Sequence, residues 1–480
     1  MGLVMNGSQA LGWSVGRALC VALVGLWLSR PLAGWCLQAT ASHRRWLWSL
    51  VLLPFFIPGL LLGYGFRLAS LELIHHPWWN EFLYGLLSLA QVLPVGVLVL
   101  VFAPPTTLSD AAAHVARLAA QNPNAVASQW SVRWAFCLRE WGKFFPATVV
   151  MFLLAFQETE VATLMQAGGW PEWLFTRQLK GTPLAETLTD SLAPVMCEMC
   201  LLLPLFWCGR RHTVSNSLIQ VSSNRVTTAT SRLRMVAVAW LLLAMVLTVV
   251  IPSCQLARGT VSGFRVLLAQ PRLFSSIWHG ILFGMTSGFL AWWAAECWWR
   301  LWLFSPWVQA LALSLLLPGL VGDLPWGLAL ANLFQCPLLS GLYDTPVPLV
   351  MGLCFWLLPR AVVLRWLQRQ ATKSPAAHLV TLLQTSADNQ QRSSARELDW
   401  QLRRRGPFWS VVLLSLWGNL NLMLPSLLAP AGFSPAPLEL YNQMHYGHIA
   451  GLWAMLCVTL LAPSLLMIPG WWFVRYTKRH

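Results

Sequence analysis

Charged residues are scarce in this sequence. Asp, Glu, Lys and Arg together make up 10% of the 480 residues, whereas 57% of the residues are hydrophobic. A soluble domain is usually about one quarter charged. The chain therefore has too few polar groups to cover its apolar surface in water. This excludes an ordinary soluble globular protein and predicts a protein whose solvent is lipid.

Sequence motifs that carry chemistry are also lacking. No G-x-x-x-x-G-K-[ST] motif occurs, so the chain has no phosphate-cradling loop of its own. The 11 Cys are scattered, and no spacing fits a zinc site or a disulfide framework. No nucleophile, base and metal-ligand set clusters in the middle of an apolar run. We therefore expect no enzyme activity, no cofactor and no metal site in this chain.

Long apolar runs are what the sequence has in abundance. A membrane-spanning helix needs about 20 mostly apolar residues. By that measure the sequence predicts an all-α, polytopic helix bundle with about 11 spans, near 11–30, 47–66, 82–104, 146–167, 186–208, 234–253, 276–298, 302–322, 346–367, 409–428 and 448–473. The segment 323–345 is apolar but broken by Pro and Gly, which is typical of a short re-entrant piece.

The placement of Lys and Arg predicts the orientation of the chain. With the N-terminus outside, the inner segments hold 25 Lys and Arg and the outer segments hold 6. Positive residues concentrate on the cytoplasmic side of membrane proteins. The net charge of +15 therefore follows from membrane topology and needs no nucleic-acid partner. The C-terminus is predicted to be cytoplasmic.

An internal repeat relates the two halves of the chain. Four matched positions recur in the same order and at nearly the same offset, which is slightly more than half the chain. The matched pairs are Pro58 and Pro318, Pro94 and Pro359, His114 and His378, and Gly181 and Gly447. The offset crosses six predicted spans, an even number, so the halves share one orientation and form a parallel repeat. We predict a first half over 1–233, with about five spans, and a second half over 234–480, with about six.

Three segments carry a resemblance to a known family: "LLPFFIPGLLLGYGF" (52–66), "SGLYDTPVPLVMGLCFWLLPRAVVLR" (340–365) and "LAPAGFSPAPLELYNQMHYGHIAGLWAM" (428–455). With them the chain resembles the permease of a binding-protein-dependent ABC importer, of the fused iron(III)-type class. The resemblance implies a tandem type I importer permease fold in the bacterial cytoplasmic membrane. It also implies two kinds of partner, a separate ATP-binding subunit acting as a dimer and an extracytoplasmic solute-binding protein.

The family carries a cytoplasmic Glu-Ala-Ala…Gly loop that couples the permease to its ATPase. The matching segments are "HVARLAA" (114–120) and "HLVTLLQ" (378–384), inside the loops 105–145 and 368–408. A histidine replaces the Glu in each segment, and Ala120 or Gln384 replaces the Gly. The resemblance implies a coupling role for the following residues: His114, Ala116, Arg117, Ala120, His378, Val380 and Gln384.

Polar side chains inside predicted spans are costly in lipid and therefore indicate function. The fourth span holds Gln157, Glu158 and Glu160, and its counterpart in the second half holds Asn419 and Asn421. Two Pro-Gly pairs, Pro58-Gly59 and Pro318-Gly319, interrupt spans at positions that the repeat matches. Paired interruptions can line a pathway with unwound backbone. These residues are the predicted substrate pathway, and helix–helix hydrogen bonding is the alternative role for the polar ones.

Two other functions stay open from the sequence. An ion-coupled secondary transporter would need coupling groups at mid-membrane depth, and the fourth-span glutamates fit that role. A degenerate, non-transporting membrane scaffold would explain why the coupling motif departs from the family pattern in both halves. The sequence does not name the solute.

Overall fold

The structure is a computed structural model, and it describes residues 6–102, 144–213, 231–302, 306–372, 375–385, 388–446 and 449–476. Every regular element in these ranges is a helix. Six of the helices are long and apolar enough to cross a membrane. The prediction of an all-α helical membrane bundle is confirmed at this level, and the chain is a multi-pass membrane protein.

The helices are numbered in chain order. Those up to residue 269 are α1 (Gly7–Gln38), α2 (Ala41–Phe56), α3 (Gly59–Glu72), α4 (Pro77–Phe102), α5 (Phe144–Phe156), α6 (Glu160–Met165), α7 (Trp170–Leu179), α8 (Leu184–Thr213), α9 (Ser231–Met245) and α10 (Ile251–Ala269). The later ones are α11 (Pro271–Leu301), α12 (Pro306–Ser314), α13 (Leu317–Leu320), α14 (Asp323–Phe334), α15 (Val347–Thr372), α16 (Pro375–Gln384), α17 (Asn389–Asp399), α18 (Arg405–Leu420), α19 (Met423–Leu428), α20 (Ala436–His445) and α21 (Ile449–Tyr476). A π-helical turn, Val246–Val250, joins α9 to α10.

Several predicted spans fall on interrupted helices. The span 47–66 lies on α2 and α3, which meet at an angle of 69°. The span 146–167 is divided between α5 and α6, and the span 409–428 between α18 and α19. The span 302–322 corresponds to the two short helices α12 and α13. Hydropathy located these segments but not their breaks. The Pro58-Gly59 pair did mark the break between α2 and α3.

The chain forms two compact units. Unit 1 contains residues Met1–Thr176 and Leu192–Ser253, and unit 2 contains Arg177–Ser191 and Cys254–His480. A short piece that includes the start of α8 thus groups with unit 2, while the rest of α8 groups with unit 1. The units are defined by which residues pack together, whereas the boundary at residue 233 was placed between two repeated halves of the sequence. The two divisions describe different things, so the boundary at 233 stays a prediction.

Each unit is built on a pair of long helices that run parallel. In unit 1, Arg17 of α1 pairs with Glu81 of α4, and Ser29 donates a hydrogen bond to the Leu93 carbonyl, both across 64 residues. In unit 2, Ser287 and Trp299 of α11 donate to carbonyls of α15 that lie 63 residues later. A constant, positive separation means that both helices of a pair point the same way. The chain between them must therefore return across the bundle, through α2–α3 in unit 1 and α12–α14 in unit 2.

Three glycines at a four-residue spacing let α11 approach α18 closely. They are Gly280, Gly284 and Gly288, and a Cβ atom at Gly284 would lie 2.6 Å from the Ser415 carbonyl oxygen. A Cβ atom at Gly288 would lie 2.7 Å from the Ser415 nitrogen. Small residues at this spacing allow backbones to touch where lipid gives no hydrophobic driving force between helices. The α11–α18 contact fixes the position of the break that follows α18.

Candidate functional site: two capped helix breaks

The first break lies in unit 1, between the end of α5 at Phe156 and the start of α6 at Glu160. The carboxylate of Glu158 accepts hydrogen bonds from the backbone N–H groups of Val161 (2.7 Å) and Ala162 (3.0 Å). The first N–H groups of a helix have no partner within the helix, and the helix dipole favours a negative charge there. Glu158 therefore caps α6 and stabilises the break.

A buried polar network attaches this cap to two long helices. Tyr84 of α4 donates a hydrogen bond to Glu158 (2.9 Å), and the Arg17 guanidinium lies 4.4 Å from the centre of the Tyr84 ring. Arg17 also pairs with Glu81 (2.8 Å) and donates to the Gly168 carbonyl (2.7 Å). The side chains of Arg17 and Glu81 are 11% and 16% exposed. The sequence reasoning missed Arg17 and Tyr84, because their partners are distant in the chain.

The second break lies in unit 2, between Leu420 at the end of α18 and Met423 at the start of α19. The side-chain oxygen of Asn421 accepts a hydrogen bond from the Leu424 N–H (2.9 Å), while its amide nitrogen donates to Asp323 (2.7 Å). Asp323 is the first residue of α14. Asn421 thus caps one half-helix and joins it to the start of another. Asp323 was also missed, although it was visible as an acid in an apolar, Pro/Gly-rich stretch.

Asn419 does not cap a helix as Asn421 does, but forms a hydrogen bond to another helix. It is 1% exposed, and its amide donates a hydrogen bond to the Thr459 carbonyl of α21 (2.9 Å). Thr459 donates its own hydroxyl to the Met455 carbonyl within the same helix. The amide of Asn419 is therefore an interhelical hydrogen-bond donor, which is the alternative role that the sequence left open for the polar residues of the spans.

The two Pro-Gly pairs occupy different positions relative to the breaks. Pro58 is the N-cap of α3 and Gly59 is its first residue, where a Cβ atom would lie 2.8 Å from a carboxylate oxygen of Glu160. Gly59 therefore brings the start of α3 against the first break. Pro318 and Gly319 lie within α13, and a Cβ atom at Gly319 would lie 2.5 Å from the Phe355 carbonyl oxygen of α15. Pro318 and Gly319 thus pack on α15. The residue that contacts the second break is Asp323, through Asn421.

The predicted ATPase-coupling residues are divided by what the structure describes. His114, Ala116, Arg117 and Ala120 lie outside the described residues. His378, Val380 and Gln384 lie in α16, where Val380 is fully buried and Gln384 is exposed. Two apolar side chains of the same helix, Leu379 and Leu382, are 56% and 55% exposed. The helix therefore presents apolar surface that its own unit does not cover.

Glu198 is a buried acid that caps neither break. It lies in α8 and is fully buried, and neither carboxylate oxygen makes a hydrogen bond of ordinary geometry in the described part of the chain. The amide side chain of Gln157, at the first break, is the polar group that interacts with it. An isolated ionised carboxylate in such a place is very costly, so the group is stable only as the neutral acid or with a cation.

Two substitutions separate these roles of Glu158 and Glu198. We expect Glu198→Gln to leave the melting temperature unchanged or higher, because the amide has the shape of the neutral acid. We expect Glu158→Ala to lower it, since losing a helix cap costs about 0.5–2 kcal/mol. Thermal unfolding of the purified protein in one detergent measures both. A loss in Glu198→Gln as large as that in Glu158→Ala would show that Glu198 needs its charge and holds a cation.

The described residues give no candidate metal site. They contain no group of three or more His, Cys, Asp and Glu side chains that could hold a metal ion. Comparison with protein-family models, with curated proteins and with solved structures finds no match to the chain. The sites are thus described by their own geometry. That geometry is two interrupted helices, each capped by a polar side chain at its break.

Proposed function

We propose that the chain is the permease subunit of an ABC importer. It moves a solute across the bacterial cytoplasmic membrane, with its N-terminus outside and its C-terminus in the cytoplasm. An extracytoplasmic binding protein delivers the solute, and a separate ATPase dimer drives the cycle. The chain itself performs no covalent chemistry and needs no cofactor. The sequence resemblance to the fused iron(III)-type permeases supports this proposal, and so does the matching architecture of the two units.

The recurrence of elements at one spacing carries the proposal. The first helices of the matched sets begin at Gly7 and Pro271, and α3 and α14 begin at Gly59 and Asp323, which is the same offset. The half-helices after the two breaks begin at Glu160 and Met423, and their offset differs from the others by a single position. This common spacing supports a tandem parallel repeat. If each interrupted helix counts as one crossing, it also supports the 11 spans of the proposed topology.

The polar caps at both breaks are consistent with a solute pathway whose helices move during transport. A break divides a crossing helix into two pieces that can tilt separately, and its cap keeps the freed backbone groups satisfied. Unwound backbone is tolerated at membrane depth where it is buried in protein or lines a cavity. In the proposed permease, the region through which the solute passes includes Gln157, Glu158, Glu160, Asn419 and Asn421, together with Pro58, Gly59, Pro318 and Gly319. Within each unit, the hydrogen bonds and close contacts of these residues hold the helices that they join in their resting positions.

The exposed apolar surface of α16 is the proposed ATPase contact. We expect an ATP-binding subunit to co-purify with the chain from native membranes in mild detergent, at about two copies per chain. We expect the double variant Leu379→Asp/Leu382→Asp to lose it, because two charges replace the apolar contact. Quantitative mass spectrometry of the eluate measures both results.

Leu338→Asp, which places one charge on an exposed leucine away from α16, is the control for this experiment. Leu338 is 91% exposed and lies before α15, on the opposite side of the membrane from α16 in the proposed topology. This variant should retain the ATP-binding subunit. Reproducible absence of any ATP-binding subunit from the intact wild-type protein would refute the importer.

Glu198 favours an ion-coupled secondary transporter as the second candidate. A buried acid without a normal hydrogen bond is a group that can carry a proton or cation through the membrane. Uptake into proteoliposomes that contain this chain alone, driven by an ion gradient and abolished by Glu198→Gln, would favour this candidate. If the chain neither retains an ATPase nor takes up solute, it is the scaffold that the altered coupling motif allows.

A further inference from the structure

Unit 2 contains a cluster of arginines that neither proposed transport function uses. Three guanidinium groups surround the single carboxylate of Glu296, near the C-terminal ends of α11 and α15. Arg365 lies 2.5 Å from it, Arg369 lies 3.4 Å from it, and Arg300 lies 3.8 Å from it. One negative charge shared by three positive ones leaves the cluster with a formal charge of +2. The partial negative charge of the two helix ends, about −0.5 each, does not neutralise it.

Tryptophan rings hold two of these arginines in place. The Arg365 guanidinium lies 5.1 Å from the ring of Trp292, and the Arg369 guanidinium lies 5.2 Å from the ring of Trp299. Cation–π contacts of this kind restrict a side chain without neutralising its charge. Trp299 is itself fixed by a hydrogen bond from its indole N–H to the Val362 carbonyl (3.3 Å). The cluster is therefore ordered before any ligand arrives.

Helix length places the outer part of the cluster, Arg300, at the depth of lipid headgroups. The two helices have 31 and 26 residues, which correspond to about 46 and 39 Å at a rise of about 1.5 Å per residue. The hydrocarbon core is about 30 Å thick. Centred on that core, α11 carries Arg300 into the headgroup layer, while Glu296 and Arg369 lie at the boundary of the core. Trp293, which is 62% exposed, lies one turn or less from Glu296 and marks the lipid-facing side of α11.

Exposure shows which arginines can accept a ligand. The side chain of Arg300 is 74% exposed, whereas those of Arg365 and Arg369 are 25% and 33% exposed. A phosphate that approaches from the headgroup layer thus meets Arg300 first and can reach the other two behind it. Guanidinium groups bind phosphate through paired, charge-assisted hydrogen bonds.

We propose that Arg300, Arg365 and Arg369 form a binding site for the phosphate of an anionic phospholipid, with Trp292 and Trp299 holding two of the guanidiniums in place. A lipid is the expected occupant because the site reaches headgroup depth beside an exposed indole. Glu296 competes with the phosphate for the same guanidiniums. Its removal therefore strengthens binding, which is the opposite of what a purely structural ion pair predicts.

Native mass spectrometry of the purified full chain tests the site. The protein is incubated with phosphatidylglycerol or phosphatidylethanolamine in a nonionic detergent, and bound lipid is counted. We expect the wild type to retain phosphatidylglycerol in preference. Arg300→Gln/Arg369→Gln should reduce that retention about tenfold, since each basic residue adds appreciable attraction at a charged lipid surface. Glu296→Gln should increase it.

Arg258→Gln/Arg265→Gln is the matched control, because it removes the same charge from two exposed arginines of α10. It should bind phosphatidylglycerol as the wild type does. Equal losses in the two double variants would overturn the site, since general charge attraction would explain them. Weaker binding in Glu296→Gln, or displacement of the lipid by millimolar inorganic phosphate, would also overturn it. The melting temperature of each variant shows that it is folded.

Discussion

Gly284→Val is expected to destabilise unit 2 strongly. A Cβ atom at this position would lie 2.6 Å from the Ser415 carbonyl oxygen and 2.7 Å from the Asn419 nitrogen. Both are backbone atoms, so no side-chain rotation can make room, and α11 and α18 must move apart. Overpacking a tight interior costs about 1–3 kcal/mol and occasionally more, and we expect the upper end here. Size-exclusion profiles after heating should show little monodisperse protein compared with the wild type.

Gly16→Val is the control for this prediction. Gly16 also lies inside a long helix, but a Cβ atom there meets nothing within 4 Å. The same substitution should therefore leave the size-exclusion profile unchanged. If both variants fold equally well, the close approach of α11 and α18 is not a requirement of the fold.

Arg17→Met is expected to be the most damaging change in unit 1. It removes the partner of Glu81, the hydrogen bond to the Gly168 carbonyl and the contact with the Tyr84 ring. Removing one partner of a buried ion pair costs about 3–5 kcal/mol, because the other charge stays buried without compensation. We expect a large fall in melting temperature, whereas Arg258→Met, on an exposed arginine, should cause almost none.

The double variant Arg17→Met/Glu81→Leu separates two causes of the lost stability. One is the unpaired charge of Glu81, and the other is the loss of the contacts that Arg17 makes with Gly168 and Tyr84. Replacing both partners with apolar side chains removes the uncompensated charge, so part of the lost stability should return. A double variant that is no more stable than Arg17→Met would mean that the Gly168 and Tyr84 contacts carry the effect. In that case Glu81 would be a minor member of the network.

Hydropathy was sufficient to predict a multi-pass helical membrane protein, but it was blind to the interruptions. A window as long as a membrane span averages over Gln157, Glu158 and Thr159, so α5 and α6 read as one span. The same averaging hid Asn421 between α18 and α19. A cap satisfies backbone N–H groups locally, and its signal is a polar residue two or three positions before an apolar run. That signal is present in the sequence, where it predicts either a solute contact or a helix–helix hydrogen bond.

The sequence predicted only part of the candidate site, namely the polar residues that lie within apolar runs. Glu158 and Asn421 stood out as polar residues in apolar surroundings, and the structure gives each a definite partner. Arg17 did not stand out, because its role depends on Glu81, far along the chain, and on the parallel register of α1 and α4. Asp323 lies in a Pro- and Gly-rich stretch, and its partner Asn421 is 98 residues away, so no local pattern indicates their hydrogen bond. Pairings at such distances require the fold and cannot be deduced from local pattern.

The short helices after the breaks have a consequence for how the protein is made. α6 and α19 have six residues each, about 9 Å of helix, so neither can be inserted into a bilayer by itself. Their polar anchors, Tyr84 for Glu158 and Asp323 for Asn421, are translated earlier than the residues that need them. Each emerging break thus finds its anchor already in the membrane. The Thr459 carbonyl is translated after Asn419, so arrival of the last helix completes the assembly of unit 2.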